Sequence, residues 1–394
     1  MSLQTEAVEA LRFEQPGAMA HWIETTQAGL RRVPVRGLLA QGASFLDDEY
    51  LGDGETQLRF NEPALRGLCN RLGYRFEALT QLATPSLAST VLNDLISQRA
   101  LLERLDQEEF VVDTGRQTII GLVSASYVGY GNGKFLDDIS ALLRELPDGD
   151  GFTFKEAYGI NTELTVRFTS EKRQGTLKNY RGQSDDITLL GLEFKNSMVG
   201  TSAVRLSYFL HRLVCSNGMM VPAAGATNRV FHSGDPTSFH KRLGYCFGEV
   251  HRKLGQLIEL LHDLAAIEFD PDRLATDDNV TTQVFDIIPG TKQALCQQTG
   301  SYLRFPANCS VPDKRHMTWD HHATLLSAIP DYFGDQHANA VFKSSFRNNA
   351  SLFDFLNIFT EHANSCPLAE RLEIQHKTGA LAKYLADNAR KFTE

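Results

Sequence analysis

The chain has 394 residues, with 39 Lys and Arg against 48 Asp and Glu for a formal charge of −9, and 42% hydrophobic, 9% aromatic and 22% charged residues. That composition fits an acidic globular protein and excludes a collagen, a coiled coil or a chain too polar to build a core. No run approaches the roughly 20 apolar residues of a membrane-spanning helix, and Met1 to Glu14 carries acids rather than a basic and then apolar leader, so a cytoplasmic protein with no membrane partner is expected.

Asn61 is placed to cap a helix whose Leu65, Leu68, Cys69 and Leu72 recur at helical spacing, with Gly73 to end it. A longer helix is predicted from Ser86, its stripe running through Leu87, Val91, Leu95, Leu102 and Leu105. Phe110 to Val112 and Thr118 to Tyr127 read as strands joined by the turn Thr114 to Gln117. A glycine-rich turn then leads into a helix burying Phe135, Ile139, Leu142, Leu143 and Leu146. After Asp148 to Gly151, four strands are predicted at Phe152 to Tyr158, Thr162 to Thr169, Ile187 to Asn196 and Thr201 to Val214, with short links that favour antiparallel neighbours. Alternation puts Leu164, Val166 and Phe168 on one face, while Arg167, Lys195 and Arg205 fall on an open polar face. Pro236 to about Phe269 is one amphipathic helix that would cover the apolar face, 270 to 313 is broken by prolines, and helices resume at about Thr318, at Ala350 to Ala363 and at Leu368 to Lys391.

The expected class is therefore α+β: an antiparallel sheet of about four to six strands covered by a long helix, with helical N- and C-terminal parts. The expected regions are a mainly helical 1–109, an α+β core at 110–269 and a mainly helical 270–394. No internal repeat or low-complexity tract is present.

Charge is unevenly distributed. Residues 151 to 260 hold 9 acids and 14 bases, whereas every other segment is negative. Within this basic segment, Lys172, Arg173, Lys178 and Arg181 form an acid-free run with Tyr180 beside the last cation. Such a run suits a solvated loop or a contact with phosphates, since local rather than net charge governs docking within a Debye length. Gly129 to Lys134 fails both phosphate-loop patterns: Val128 and Phe135 stand where a P-loop needs glycine and Ser or Thr, and Lys134 stands where a dinucleotide loop needs its third glycine. Cys296, Cys309, His316, His321 and His322 lack paired cysteine spacing, so no metal and no cofactor is assigned. There is no HExxH, GxSxG, kinase or paired-carboxylate nuclease motif. The densest run of unusual residues, Arg205 to His232, passes through His211, Arg212, Cys215, Asn217, Gly218 and Arg229. Cys215 there is either a buried thiol before an Asn217-Gly218 turn or a nucleophile with His232 as its base.

Four stretches resemble a phage- and plasmid-related protein family built on a domain of unknown function, the domain of unknown function 932 family. They are Leu65 to Gly73 with Ala83 to Leu95; Ser126-Tyr127 with Asn132 and Leu136; Arg205 to Gly218 with His232; and Asn349 to Ala363, including Asn357. The last departs from the family in having Leu352 and Phe353 where a tryptophan is common. The resemblance implies a mobile-element gene and supplies no activity and no catalytic residue. The leading expectation is a non-catalytic nucleic-acid-binding protein, a single-stranded DNA binder or annealing protein of recombination type, forming a homo-oligomer. Its expected contacts are Arg167, Lys172, Arg173, Lys178, Tyr180, Arg181, Lys195 and Arg205. Two other classes stay open: an interaction protein that intercepts a host or rival factor, and an enzyme with its site near Cys215 and His232.

Overall fold

The computed structural model describes residues 10–46, 50–52, 57–82, 84–146, 151–160, 162–177, 186–212, 218–221, 229–270, 273–274, 276–287 and 350–393. In chain order the first elements are strand β1 (Ala10–Phe13), helix α1 (Pro16–Ala28), β2 (Leu30–Pro34), α2 (Val35–Ala40), β3 (Ser44–Phe45), β4 (Tyr50–Gly52), β5 (Gln57–Phe60), α3 (Glu62–Leu72), α4 (Phe76–Thr80), α5 (Pro85–Ser97) and α6 (Arg99–Leu102). The hairpin β6 (Glu108–Asp113) and β7 (Thr118–Ser124) and helix α7 (Asn132–Arg144) follow. Next come β8 (Phe152–Ile160), β9 (Glu163–Leu177), β10 (Asp186–Ser197), β11 (Val204–Arg212), β12 (Gly218–Val221), β13 (Arg229–Val230) and the 31-residue α8 (Pro236–Ala266). Three more helices, Asp278–Ile287, Leu352–Ala363 and Leu368–Asp387, lie toward the C-terminus. None of the described helices is long and apolar enough to cross a membrane.

The fold is α+β with two sheets. The larger has seven strands in the order β1-β8-β9-β10-β11-β12, with β13 also paired to β11; the other has six, in the order β2-β6-β7-β5-β4-β3. The four central strands of the first match the alternating runs in the sequence, and all their pairings are antiparallel. The second sheet was not foreseen. Before residue 110 the chain mixes strands with helices, and β2 to β5 are only two to five residues long, too short for alternation to stand out. The β6-β7 hairpin belongs to this sheet, and β5 runs parallel to β7.

Local rules explain most element ends. The Asn61 side chain accepts a hydrogen bond from the Ala64 amide at 2.9 Å, and Gly73 closes α3 in the left-handed conformation at φ 73°. The predicted stripe from Ser86 to Leu105 is not one helix. Thr84, rather than Ser86, caps α5, and the extended backbone of Gln98 separates it from α6; Leu87, in the first turn of α5, is exposed. The sheets meet where Val111 and Val123 pack on Met198 and Val199 at the end of β10. Only glycine fits at 121 in that contact, since a Cβ there would stand 2.6 Å from that of Val199.

One face of the large sheet is apolar, with Leu164, Val166, Leu192, Phe194, Leu206 and Tyr208 packed in one cluster with Phe239, Leu243, Phe247 and Val250 of α8. Nine side chains of α8 are buried. At roughly 1.5–3 kcal/mol for each large apolar side chain, this burial far outweighs the propensity cost of the three glycines within the helix.

The opposite face is the one expected to be open, and over its middle it is closed. Arg167, 1% exposed, donates from Nε to Glu193 at 2.8 Å and from Nη1 to Glu156 at 3.0 Å. From Nη2 it donates to the Gln375 amide oxygen at 2.9 Å, on the Leu368–Asp387 helix. Its guanidinium carbon lies 4.5 Å from the centre of the Phe209 ring and 5.0 Å from that of Tyr158. His376, one residue on from Gln375, reaches the second oxygen of Glu193 at 3.1 Å, and Arg12 of β1 binds Glu156 at 2.9 Å. A charged side chain this deep is stable only when fully paired, and the C-terminal helix supplies part of that pairing. Burial pushes the Glu193 carboxyl up, but Arg167 and then His376 outweigh it and hold the group at about 2. Replacing Arg167 by Met should therefore strand two buried carboxylates and destabilise the fold by about 3–5 kcal/mol in urea unfolding. A loss below about 1 kcal/mol, the range of exposed ion pairs, would contradict this picture.

Candidate functional site

The register of the large sheet decides which cations are available to a ligand. Arg167 is not: its nitrogens are spent on Glu193, Glu156, Tyr158 and Gln375. This corrects its placement on an open nucleic-acid face, and the physical reason is that matched carboxylates on both neighbouring strands capture it. Glu156 and Glu193 were missed because their pairing depends on strand register, which depends in turn on turn lengths and bulges.

Two residues along β10 from Glu193, the face opens. Lys195 stands opposite Arg205 of β11, and Arg205 stands opposite Arg229 of β13. Directly opposed residues project to the same side of a sheet, so the three make a row across adjacent strands. Lys195 is ion-paired with Glu163 at 2.6 Å. Burial raises the Glu163 carboxyl, but Lys195 and the Thr201 and Ser202 hydroxyls bring it below its ordinary range. Arg205 and Arg229 are exposed, and neither has an ion-pair partner among the described residues. Arg229, in the dense run but not singled out there, is the addition that the structure makes.

Of the other expected contacts, Lys172 and Arg173 do not join this row. Lys172 is exposed and Arg173 half-buried. They lie seven and eight residues beyond Thr165, the β9 partner of Lys195, which at about 3.3 Å per residue puts Lys172 roughly 23 Å away along the sheet. Lys178, Tyr180 and Arg181 lie outside the described residues, as do Cys215 and Asn217 and the set Cys296, Cys309, His316, His321 and His322. Arg212 is placed in β11 by its backbone, with its side chain outside the described set. Among the described residues there is no group of three or more side chains suited to a metal.

The motif residues at 127, 132 and 232 do come together, as an aromatic and hydrogen-bonded joint. Tyr127 and His232 stack with ring centres 4.9 Å apart, and Phe239 of α8 stacks on His232 at 5.5 Å. The Val128 amide donates to the His232 carbonyl at 2.9 Å, and His232 Nδ1 lies 3.3 Å from the Val128 carbonyl. The Tyr127 hydroxyl donates to the Ser197 carbonyl, and the fully buried Asn132 accepts from Asn196 at 2.8 Å and donates to the Thr162 carbonyl at 3.3 Å. The joint thus fixes the turn before α7, the end of β10 and the entry to α8 against one another. It positions the strand ends that carry Lys195, Arg205 and Arg229. Asn357 is elsewhere, buried on the Leu352–Ala363 helix with its Nδ2 unpartnered among the described residues.

Burial drives the His232 imidazole down to about 4, against a weaker upward pull from the Val128 carbonyl, and burial lowers His211 to about 4, assisted by Lys155. Both are neutral in the folded protein at pH 7. A depressed histidine leaves the unfolded chain binding the proton first, so the stability gained from neutrality is complete above about pH 6.5 and is lost as pH falls toward 4. Wild-type Tm should drop across that window, and His232→Phe, which keeps the stack and removes the ionisable group, should drop less steeply. Equal slopes for the two proteins would show that His232 does not set this acid lability.

Residues 120–283 match the model of a family described as Domain of unknown function (DUF932). No curated protein and no solved structure matches the chain. The matched stretch runs from β7 into the Asp278–Ile287 helix and contains Tyr127, Asn132, Arg212, Cys215, Asn217 and His232, while Asn357 falls beyond it. The sheet that carries the cation row and the joint that braces it therefore lie largely inside the stretch, residues 120–283, that is similar to the DUF932 model.

Proposed function

We propose that this protein binds nucleic acid, single-stranded DNA in particular, in the service of a phage or plasmid, and that it does so without catalysis. The observation that carries the reading is the pair Arg205 and Arg229: two exposed guanidiniums directly opposite each other on neighbouring strands, with Lys195 next in the row. Like charges in that relation repel and cost the free protein stability. A phosphate chain laid across them turns the repulsion into charge-assisted hydrogen bonds, and arginine suits this because its planar fork matches phosphate oxygens. The acidic remainder of the chain favours a confined contact over a general polyanion surface. Assembly as a homo-oligomer belongs to the same reading, since repeated rows would engage one strand several times and raise its avidity. Lys172 and Arg173, toward the other end of β9, then form a second contact, to which Lys178 and Arg181, outside the described residues, belong in the same reading.

Each phosphate neutralised on a single strand contributes about 0.7 to the slope of log affinity against log salt. Arg205→Ala with Arg229→Ala should therefore weaken binding of a labelled single-stranded oligonucleotide and reduce that slope by roughly 1.4, measured by anisotropy over a salt series. Arg167→Lys should leave the slope unchanged. The reading fails if the wild-type protein does not bind at low salt, or if the double variant keeps both affinity and slope.

A further inference from the structure

Two large apolar side chains in this part of the molecule stand out in solvent rather than in the core. Phe231 is 66% exposed and Tyr245 is 65% exposed. Phe231 leaves the end of β13 two residues after Arg229, and Tyr245 stands on α8 three residues after Arg242. Arg242 links them: its Nη2 donates to the Phe231 carbonyl at 3.4 Å and also to the Ser233 carbonyl. The cation row and both rings therefore follow one another round the β13 edge of the sheet and onto the helix.

The outer face of α8 continues the pattern. Lys241, Tyr245, Gly248 and Arg252 recur at i, i+4, i+7 and i+11, opposite the buried stripe of Leu243, Phe247, Val250 and Leu254. Gly244, Gly248 and Gly255 also face outward, and a Cβ at any of them would meet nothing. No internal contact requires glycine there, although each costs about 1 kcal/mol of helix propensity relative to Ala. Their effect is to keep the surface beside Tyr245 low. The acid on this stretch, Glu249, is already paired with Arg252 at 2.7 Å, so Lys241 and Arg229 remain without an ion-pair partner among the described residues.

We infer that Phe231 and Tyr245 are a base-stacking platform for an unpaired nucleic-acid strand whose phosphates run over Arg205, Arg229 and Lys241. The inference rests on the nucleic-acid reading above and adds what that reading leaves open, which residues meet the bases and why the strand must be single. Cations alone attract any polyanion, duplex included. Exposed rings between cations favour a strand whose bases are free to turn their faces outward, and such stacking is indifferent to sequence because every base has a π-face. In a duplex those faces are hidden by neighbouring base pairs.

The test compares wild type, Phe231→Ala, Tyr245→Ala and Tyr245→Trp on a single-stranded oligonucleotide and on the duplex of the same sequence, by anisotropy over a salt series. Both rings are exposed, so the variants should keep the wild-type circular dichroism and Tm. Each Ala variant should lose roughly five- to a hundredfold in single-strand affinity with the salt slope unchanged, because no phosphate contact is removed. Tyr245→Trp should bind as tightly as wild type and have its indole emission quenched when the strand is added. Duplex should bind wild type more weakly than single strand and be insensitive to the Ala changes. Wild-type binding that the Ala variants leave intact would overturn the platform while sparing the Arg205 and Arg229 contact, whereas absence of binding by wild type would overturn both.

Discussion

The buried guanidinium of Arg167 is the constraint around which the large sheet is organised. It sits in the central part of β9 between carboxylates on both neighbouring strands, and its last donor goes to Gln375 of the C-terminal helix, 208 residues away. An isolated charge at that depth would be prohibitively costly. The face therefore has to be closed by a polar element, and the Leu368–Asp387 helix meets the requirement by presenting Gln375 and His376. Hydrophobic burial on the α8 side supplies most of the adhesion, and it too resists a slip by one residue, which would turn Leu164 and Val166 away from the helix. The ionic side adds specificity, because a slip by one residue would send Arg167 to the other face and away from Glu156 and Glu193.

The same constraint sorts the cations of a sheet that is basic within an acidic chain. Where carboxylates meet arginine across the strands, charge is consumed internally. One step beyond Glu193, Lys195 is ion-paired with Glu163, and past it Arg205 and Arg229 are left facing solvent. The joint of Tyr127, Asn132 and His232 holds the strands at that end, so these three residues act by positioning. His232 is packed between rings and aimed at a backbone carbonyl, a setting that suits a spacer better than a proton carrier.

Much of this architecture was legible in the amino-acid order. The four long antiparallel strands announced themselves by alternation, α8 by its unbroken helical stripe, and α3 by Asn61 and Gly73. The short strands β2 to β5 gave no such signal because two to five residues cannot establish a period. The helix predicted across Leu87 to Leu105 failed at Gln98, where tertiary packing ended one helix and began another without a proline or glycine to mark the break. At the site, sequence reasoning correctly placed Arg167, Lys195 and Arg205 on one face, since period-2 alternation alone determines that. It could not tell that Arg167 was paired and Arg205 without an ion-pair partner among the described residues, because that depends on which residues of other strands lie opposite. Nor could it find that Gln375 and His376 return to cover the face, a contact between segments about two hundred residues apart. Arg229 had no local pattern to mark it, and its partnership with Arg205 exists only through the β11-β13 pairing.

The central claim is a division of labour within one sheet face, with an internal cation at Arg167 and external ones at Arg205 and Arg229. Amide hydrogen exchange of the full chain, followed with and without a saturating single-stranded oligonucleotide, tests it most directly. The account predicts new protection at residues 204–206 and 229–233 and along the outer face of α8 near Tyr245, with 164–170 and 372–378 equally slow in both states. Protection gained instead across the Arg167 segment, together with faster exchange in the C-terminal helix, would show that the helix lifts and the central arginine meets the ligand, and would contradict the account.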